Sequence, residues 1–304
     1  MGFRSGFVAF TGRPNAGKST LMNAIVGAKV AITSDRPQTT RRVIRGILTR
    51  PEGQLIIVDT PGMHRPRTLL GERLNDQVRE AWSSVDVIGL CLPADQELGP
   101  GDRFIATQVR EASRAPLVAI ITKVDSVSRD AVAGVLLGVS RFGEENGLDF
   151  AHIIPVSARE GFQVDRLTDE LIALLPEGPR LYPDDASADE DLDITVAELI
   201  REAALEGVTD ELPHSIAVVV DEIVPREDRP ADKPLTDVRA TVFVERDSQK
   251  GIIIGKGGSR LREVGASARP SIERLLGTPV FLDLHVKVAK DWQRDPKQLR
   301  RLGF

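Results

Sequence analysis

The chain has one cysteine, Cys91, among 304 residues. It cannot close an internal disulfide, and a reducing cytoplasm is the compartment that fits. Cys91 lies in the apolar run Ile88-Gly89-Leu90-Cys91-Leu92 and reads as a buried strand residue rather than a reactive thiol. No stretch approaches the ~20 apolar residues of a membrane span. The start, Met1-Gly2-Phe3-Arg4-Ser5-Gly6, carries no basic-then-apolar signal, and Gly6 sits where an N-myristoylation pattern needs Ser or Thr. The four histidines, His64, His152, His214 and His285, are scattered without ligand spacing, which argues against a histidine metal site. A net charge of −5 excludes a uniformly basic nucleic-acid binder.

What is present is the balance of a soluble globular protein, 41% apolar and 28% charged, long enough for two domains. The charge is uneven. From Lys250 to Phe304 there are 12 Lys/Arg against 5 Asp/Glu, while Glu177 to Asp193 holds 7 acids and one Arg. Residues 176–193, PEGPRLYPDDASADEDLD, combine three prolines with that acid cluster and read as an exposed acidic linker. They divide a first domain, 1–175, from a second, 194–304, that ends in a basic tail.

In the first domain, apolar runs at 7–11, 43–48, 55–58, 85–92, 117–121 and 152–156 read as strands. Leu70, Leu74, Val78 and Trp82 recur every four residues, as one helix face requires, and Leu167, Leu171, Ile172 and Leu175 repeat the pattern. Alternating strands and helices predict an α/β fold with a mostly parallel, doubly wound sheet. The second domain reads as helix 194–206, strands 215–224 and 236–246, two helices, the second over about 259–277, and a strand over 280–288. That is a smaller α+β unit.

The chemistry concentrates in short motifs. Gly12-Arg13-Pro14-Asn15-Ala16-Gly17-Lys18-Ser19 matches G-x-x-x-x-G-K-[ST] between an apolar strand and a helix. Such a loop points backbone N–H groups inward, and the helix presents its positive end to phosphates. Lys18 adds charge for the β- and γ-phosphates and Ser19 offers a hydroxyl to Mg²⁺. Thr20, next along the helix, belongs to the same nucleotide site. Asp59 ends the run Leu55-Ile56-Ile57-Val58, where a carboxylate can hold Mg²⁺ through water. Gly62 leaves room for its amide to approach the γ-phosphate. Asp125, in Thr122-Lys123-Val124-Asp125, can accept two hydrogen bonds from guanine that adenine cannot donate. Ser157-Ala158 follows the last strand, and its backbone can meet the guanine oxygen.

Residues in this order and spacing resemble the P-loop GTPases. The resemblance places Gln38-Thr39-Thr40-Arg41 in the first switch, where a threonine completes the Mg²⁺ shell; Thr40 is favoured and Thr39 is the alternative. There are two departures. The base-reading motif of the family begins with Asn, and here it is Thr122, so lower nucleotide affinity is expected with specificity kept by Lys123 and Asp125. Met63 follows Gly62 where many relatives place a water-positioning Gln, which implies slow hydrolysis unless another group organises the site. Asn15 resembles the residue that holds K⁺ in cation-dependent GTPases, so Asn15 joins Lys18, Thr40 and Gly62 among the expected catalytic residues, with Mg²⁺ and K⁺ as the expected ions.

In the second domain, Ile254-Gly255-Lys256-Gly257-Gly258 contains G-x-x-G between two predicted helices. This resembles a KH domain, whose loop clamps single-stranded RNA; Lys256 and Arg260 are the expected phosphate partners. The pairing of the two domains resembles the Era GTPases nearly end to end, including Trp292 and the ending Asp295-Pro296 to Arg300-Arg301-Leu302-Gly303. That resemblance implies binding of GTP or GDP and of the 3′ end of small-subunit ribosomal RNA, a role in small-subunit assembly, a monomer, and for some members a peripheral membrane association. Two competing readings are an RNA-binding assembly chaperone with nucleotide as a structural ligand, and a metabolic P-loop kinase, which Asp125 opposes. Arg36, Arg41, Arg42 and Arg45 read as a solvated charged face.

Overall fold

The computed structural model describes residues 2–33, 39–63, 65–189, 191–208, 212–227, 229–230 and 232–304. Gln38, Arg36 and His64 lie outside the described residues, as does the side chain of His214. The chain divides into two compact units, residues 1–67 with 71–189 and residues 190–304 with 68–70.

The first unit is a six-stranded sheet in the order β2-β3-β1-β4-β5-β6. The strands are β1 Arg4–Thr11, β2 Ile44–Arg50, β3 Gly53–Asp59, β4 Val87–Pro93, β5 Leu117–Thr122 and β6 Phe150–Pro155. All neighbours are parallel except β2 and β3. The runs at 55–58, 85–92 and 117–121 become β3, β4 and β5, every residue of which is buried, as strands covered on both faces require. One face carries α1 Lys18–Val26 and α5 Val164–Leu174, with Leu21, Met22, Leu167 and Leu171 in a cluster with Phe10 and Ile57. The other carries α2 Leu69–Ser84, α3 Pro100–Ala112 and α4 Arg129–Asn146, with Trp82, Ile105 and Phe142 packed around Ile88 and Ile121. Leu70, Leu74, Val78 and Trp82 are all buried along α2, as their spacing predicts.

Residues 176–189 are largely exposed, but they do not run free. Ser5 N donates to Pro176 O, Gly178 N to Phe3 O, Ile47 N to Ser187 O and Asp189 N to Arg45 O. Buried Gln54 accepts from the Leu181 and Tyr182 amides and donates to Tyr182 O. Arg45 pairs with Asp189 at 3.2 Å. The acidic segment is thus a strap on the first unit, because extended backbone near β1 and β2 finds unpaired amide and carbonyl groups to satisfy. A second correction concerns Arg41, which is fully buried rather than part of a solvated face.

The second unit is a three-stranded sheet, β7 Ala217–Pro225, β8 Thr236–Val244 and β9 Val280–Val288. β7 and β8 are antiparallel and β8 and β9 parallel. The helices are α6 Leu192–Leu205, α7 Leu212–Ser215, α8 Asp247–Ile254, α9 Ser259–Leu276 and α10 Pro296–Arg301. The helix-strand-strand-helix-helix-strand order read from the sequence is the observed order, with α7 and α10 added. Trp292 is fully buried, donates through Nε1 to Ser215 O at 3.0 Å and stacks on Phe304, which fixes the C-terminal segment to the unit.

Candidate functional site

The loop between β1 and α1 bends through Asn15, at φ 63, and Gly17, at φ 84. Its concave side and the ends of β5 and β6 line one pocket, with Asn15, Ala16, Gly17, Lys18, Ser19, Thr20, Thr39, Thr40, Gly62, Thr122, Lys123, Asp125 and Ala158 in the wall. Thirteen of the residues named from the sequence, or offered there as an alternative, therefore meet in one place. Gly62 approaches the loop so closely that a Cβ there would lie 2.8 Å from Pro14 N, which only glycine tolerates.

Beneath the loop, Ser19 Oγ donates to Asp59 Oδ2 at 2.5 Å and lies 3.0 Å from Thr40 Oγ1, which is itself 3.4 Å from Asp59 Oδ2. Three oxygen ligands of the type a hard divalent cation prefers thus converge. Asp59 is fully buried, and among the described residues its Oδ1 has no hydrogen-bond partner. That orphaned carboxylate oxygen fits a cation site, and Thr40, rather than Thr39, is the threonine seen beside Ser19 and Asp59. Lys18 Nζ is buried and donates to Arg13 O at 3.1 Å and to Gly12 O at 3.4 Å. Burial pushes the Lys18 ammonium down from its ordinary pKa, opposed by the Asp59 charge, and pushes the Asp59 carboxyl up, opposed by Lys18. A phosphate chain entering the pocket would add negative charge beside Lys18 and favour its charged form.

On the base-reading side Asp125 is exposed, and Lys123, held at φ 57, places Nζ 3.5 Å from Asp95. Thr122 is buried and its hydroxyl donates to Ala16 O at 2.7 Å. At the position where the resemblance expects an amide, the donor to the phosphate loop is thus a hydroxyl. Ser157 departs from expectation. It is outside the pocket wall, its N–H donates to Phe162 O at 3.1 Å and its Oγ accepts from Glu160 N; it shapes the turn that presents Ala158. Gly12 likewise lies behind the wall, where a Cβ would meet Cys91 O. Met63 is buried in the core cluster with Val58 and Val78, turned away from any role with water. Asp95, Ser126 and Arg159 also line the pocket and were missed; Ser126 and Arg159 adjoin expected residues, whereas Asp95 belongs to no motif.

In the second unit the G-x-x-G segment forms a short turn between α8 and α9. Gly255 has φ 70, and a Cβ there would lie 2.7 Å from Arg260 Cβ. Lys256 and Gly257 are exposed, Ile254 and Gly258 half-buried. Arg260 is a correction: its guanidinium donates to Glu206 O and pairs with Glu263, so it is spent on the end of α6 instead of facing the loop. Arg262, not named from the sequence, donates to Gly257 O at 3.0 Å and steadies the turn.

A family model described as a 50S ribosome-binding GTPase matches residues 7–123, and a KH domain model matches residues 211–293. GTPase Era of Streptomyces coelicolor is 66% identical over 301 residues, 99% of this chain and 95% of that protein. GTPase Era of Mycolicibacterium smegmatis is 63% identical over 303 residues, covering 99% of each. Among solved structures, Era in complex with MgGDPNP and nucleotides 1506-1542 of 16S ribosomal RNA superposes with a TM-score of 0.93 at 35% identity, covering 99% of both chains. A variant of Aquifex aeolicus Era bound to GDP·AlF4⁻ gives 0.92 at the same identity and coverage.

Proposed function

Because the chain belongs to the Era family of GTPases, we propose that it is a switch in which GTP hydrolysis times the release of ribosomal RNA during small-subunit assembly. It hydrolyses GTP and binds ribosomal RNA. The observation that carries the switch reading is the meeting of Thr40 with Ser19 and Asp59. Thr40 belongs to the stretch before β2, whereas Ser19 and Asp59 sit on regular elements, so ligand charge at this point fixes a loop to the sheet.

The residues fit Mg²⁺, which Ser19 and Thr40 would hold beside Asp59; when bound it neutralises charge that develops on the phosphoryl oxygens. Lys18 binds the phosphates, the Gly62 amide faces the γ-phosphate, and Asp125 selects guanine. Asn15, in the pocket wall, would hold K⁺ as a second ion. The RNA would be the 3′ end of small-subunit ribosomal RNA, the region present in the related Era complex, held at Ile254 to Gly258. The reading makes the protein a cytoplasmic monomer, with peripheral membrane association as the alternative location; no described helix is long and apolar enough to cross a membrane.

The test is RNA affinity with a non-hydrolysable GTP analogue, with GDP and without nucleotide. Tighter binding with the analogue is expected, and RNA must then tighten GTP by the same factor. Three equal affinities would mean two independent modules on one chain.

A further inference from the structure

The connection between β4 and α3 belongs to no sequence motif, yet each of its ends holds a residue of the nucleotide site. At one end Asp95 Oδ2 meets Lys123 Nζ at 3.5 Å, the two side chains each about a third exposed. At the other, Arg13 Nε donates to Asp102 Oδ1 at 2.8 Å, and a second Arg13 nitrogen donates to Glu97 O at 3.2 Å. Asp102 is buried, and its remaining oxygen accepts from Gly99 N at 2.8 Å. One carboxylate therefore starts α3 with one oxygen and grips the phosphate loop with the other. The grip is shaped as well as charged, because Arg13 lies flat over the helix start, where a Cβ on Gly101 would be 3.0 Å from Arg13 Cδ. Arg13 is outside the pocket wall, while Pro14, Asn15 and Ala16 beside it are in that wall.

We infer that residues 95–102 act as a clasp that joins the phosphate half of the nucleotide site to its base-reading half, with Arg13, Asp102 and Asp95 as positioning residues. The inference rests on the pocket being the guanine-nucleotide site. A loop with two left-handed residues has other conformations open to it. A charge-assisted hydrogen bond from half-buried Arg13 to buried Asp102 selects one of them, and the same segment then sets Lys123 relative to it. Nucleotide retention then depends in part on Arg13 and Asp102, which lie outside the pocket wall.

Asp102→Asn is the sharpest test. Its amide oxygen can keep the Gly99 contact while its NH₂ group is turned on the Arg13 donor, so the helix start survives and the grip is lost. Release of fluorescent GDP should be about tenfold faster, and KM for GTP should rise by a similar factor while kcat moves less than threefold. Arg13→Met, at a half-buried position, should behave the same way, and Asp95→Asn should speed release about threefold. The double variant Arg13→Met/Asp102→Asn should release GDP no faster than Asp102→Asn alone, because the two act as one unit. Wild-type retention in both Arg13→Met and Asp102→Asn, or additive losses in the double variant, would overturn the clasp. Failure of the wild-type protein to bind GDP at all would instead overturn the nucleotide-site reading.

Discussion

The Thr122 hydroxyl and the Ala16 carbonyl are buried 2.7 Å apart, so the strand that ends in the base-reading residues is tied to the phosphate loop by one hydrogen bond. Thr122→Val keeps the shape and removes the donor, leaving a buried carbonyl unpaired at a cost of about 1–3 kcal/mol. GDP affinity should fall roughly tenfold on that basis, and Thr122→Ser should restore most of it. Calorimetric titration of the three proteins checks this; equal affinities for Val and wild type would show that the tie does nothing for binding.

Hydrolysis should be faster in KCl than in NaCl. Asn15 sits at φ 63 in the pocket wall, and Met63, sequestered in the core, cannot orient water, so a K⁺ ion held at Asn15 would add to the positive charge of Lys18 and Mg²⁺ at the transition state. Asn15→Ala should erase the difference between the salts. Phosphate release measured at matched ionic strength decides it.

Gly257→Asp should weaken binding of single-stranded ribosomal RNA by at least about tenfold, or ~1.4 kcal/mol, because it brings a negative charge to the exposed turn proposed to hold the RNA backbone. A Cβ at Gly257 meets nothing within 4 Å, so the loss is electrostatic and a matter of the φ of 59, not of a clash. GTP affinity should be unchanged. Filter binding over a salt series would show a reduced slope if the phosphate contacts are the ones lost.

Cys91 should resist thiol reagents in the folded protein. It is fully buried, and burial pushes its pKa from an ordinary value of 9.0 to about 12. The raised value keeps the thiol protonated until the pH passes the folded pKa, so at pH 8 reactive thiolate arises only on unfolding. Modification by a disulfide reagent should track the unfolding transition in urea; rapid labelling without denaturant would contradict the burial.

The strands and the phosphate loop were legible because their signals are local: a run of apolar residues, a fixed spacing of Gly, Lys and Ser. Arg41 was read as solvated because nothing in its neighbours announces burial. Asp95 carried no signal, and neither did the contact of Asp102 with Arg13, 89 positions away. The α3 and α4 helices were not delimited from apolar spacing, although Pro100 with Asp102 and Ser128 with Gly147 mark starts and an end in the structure. Composition correctly gave exposure for residues 176–189 but not their attachment, which depends on backbone groups and one buried side chain, Gln54.

That strap bears on how the protein can be cut. β2 is the outer strand of its sheet, and the amide of Ile47 and the carbonyl of Arg45 are taken up by Ser187 and Asp189. A fragment ending at Leu175, where the helical pattern stops, would leave those groups and the Gln54 side chain without their partners and offer a template for strand addition by other molecules. A fragment ending at Asp189 keeps the cover. The first should self-associate as it is concentrated and the second should stay dispersed, so the natural place to sever the nucleotide half lies fourteen residues beyond its last helical repeat.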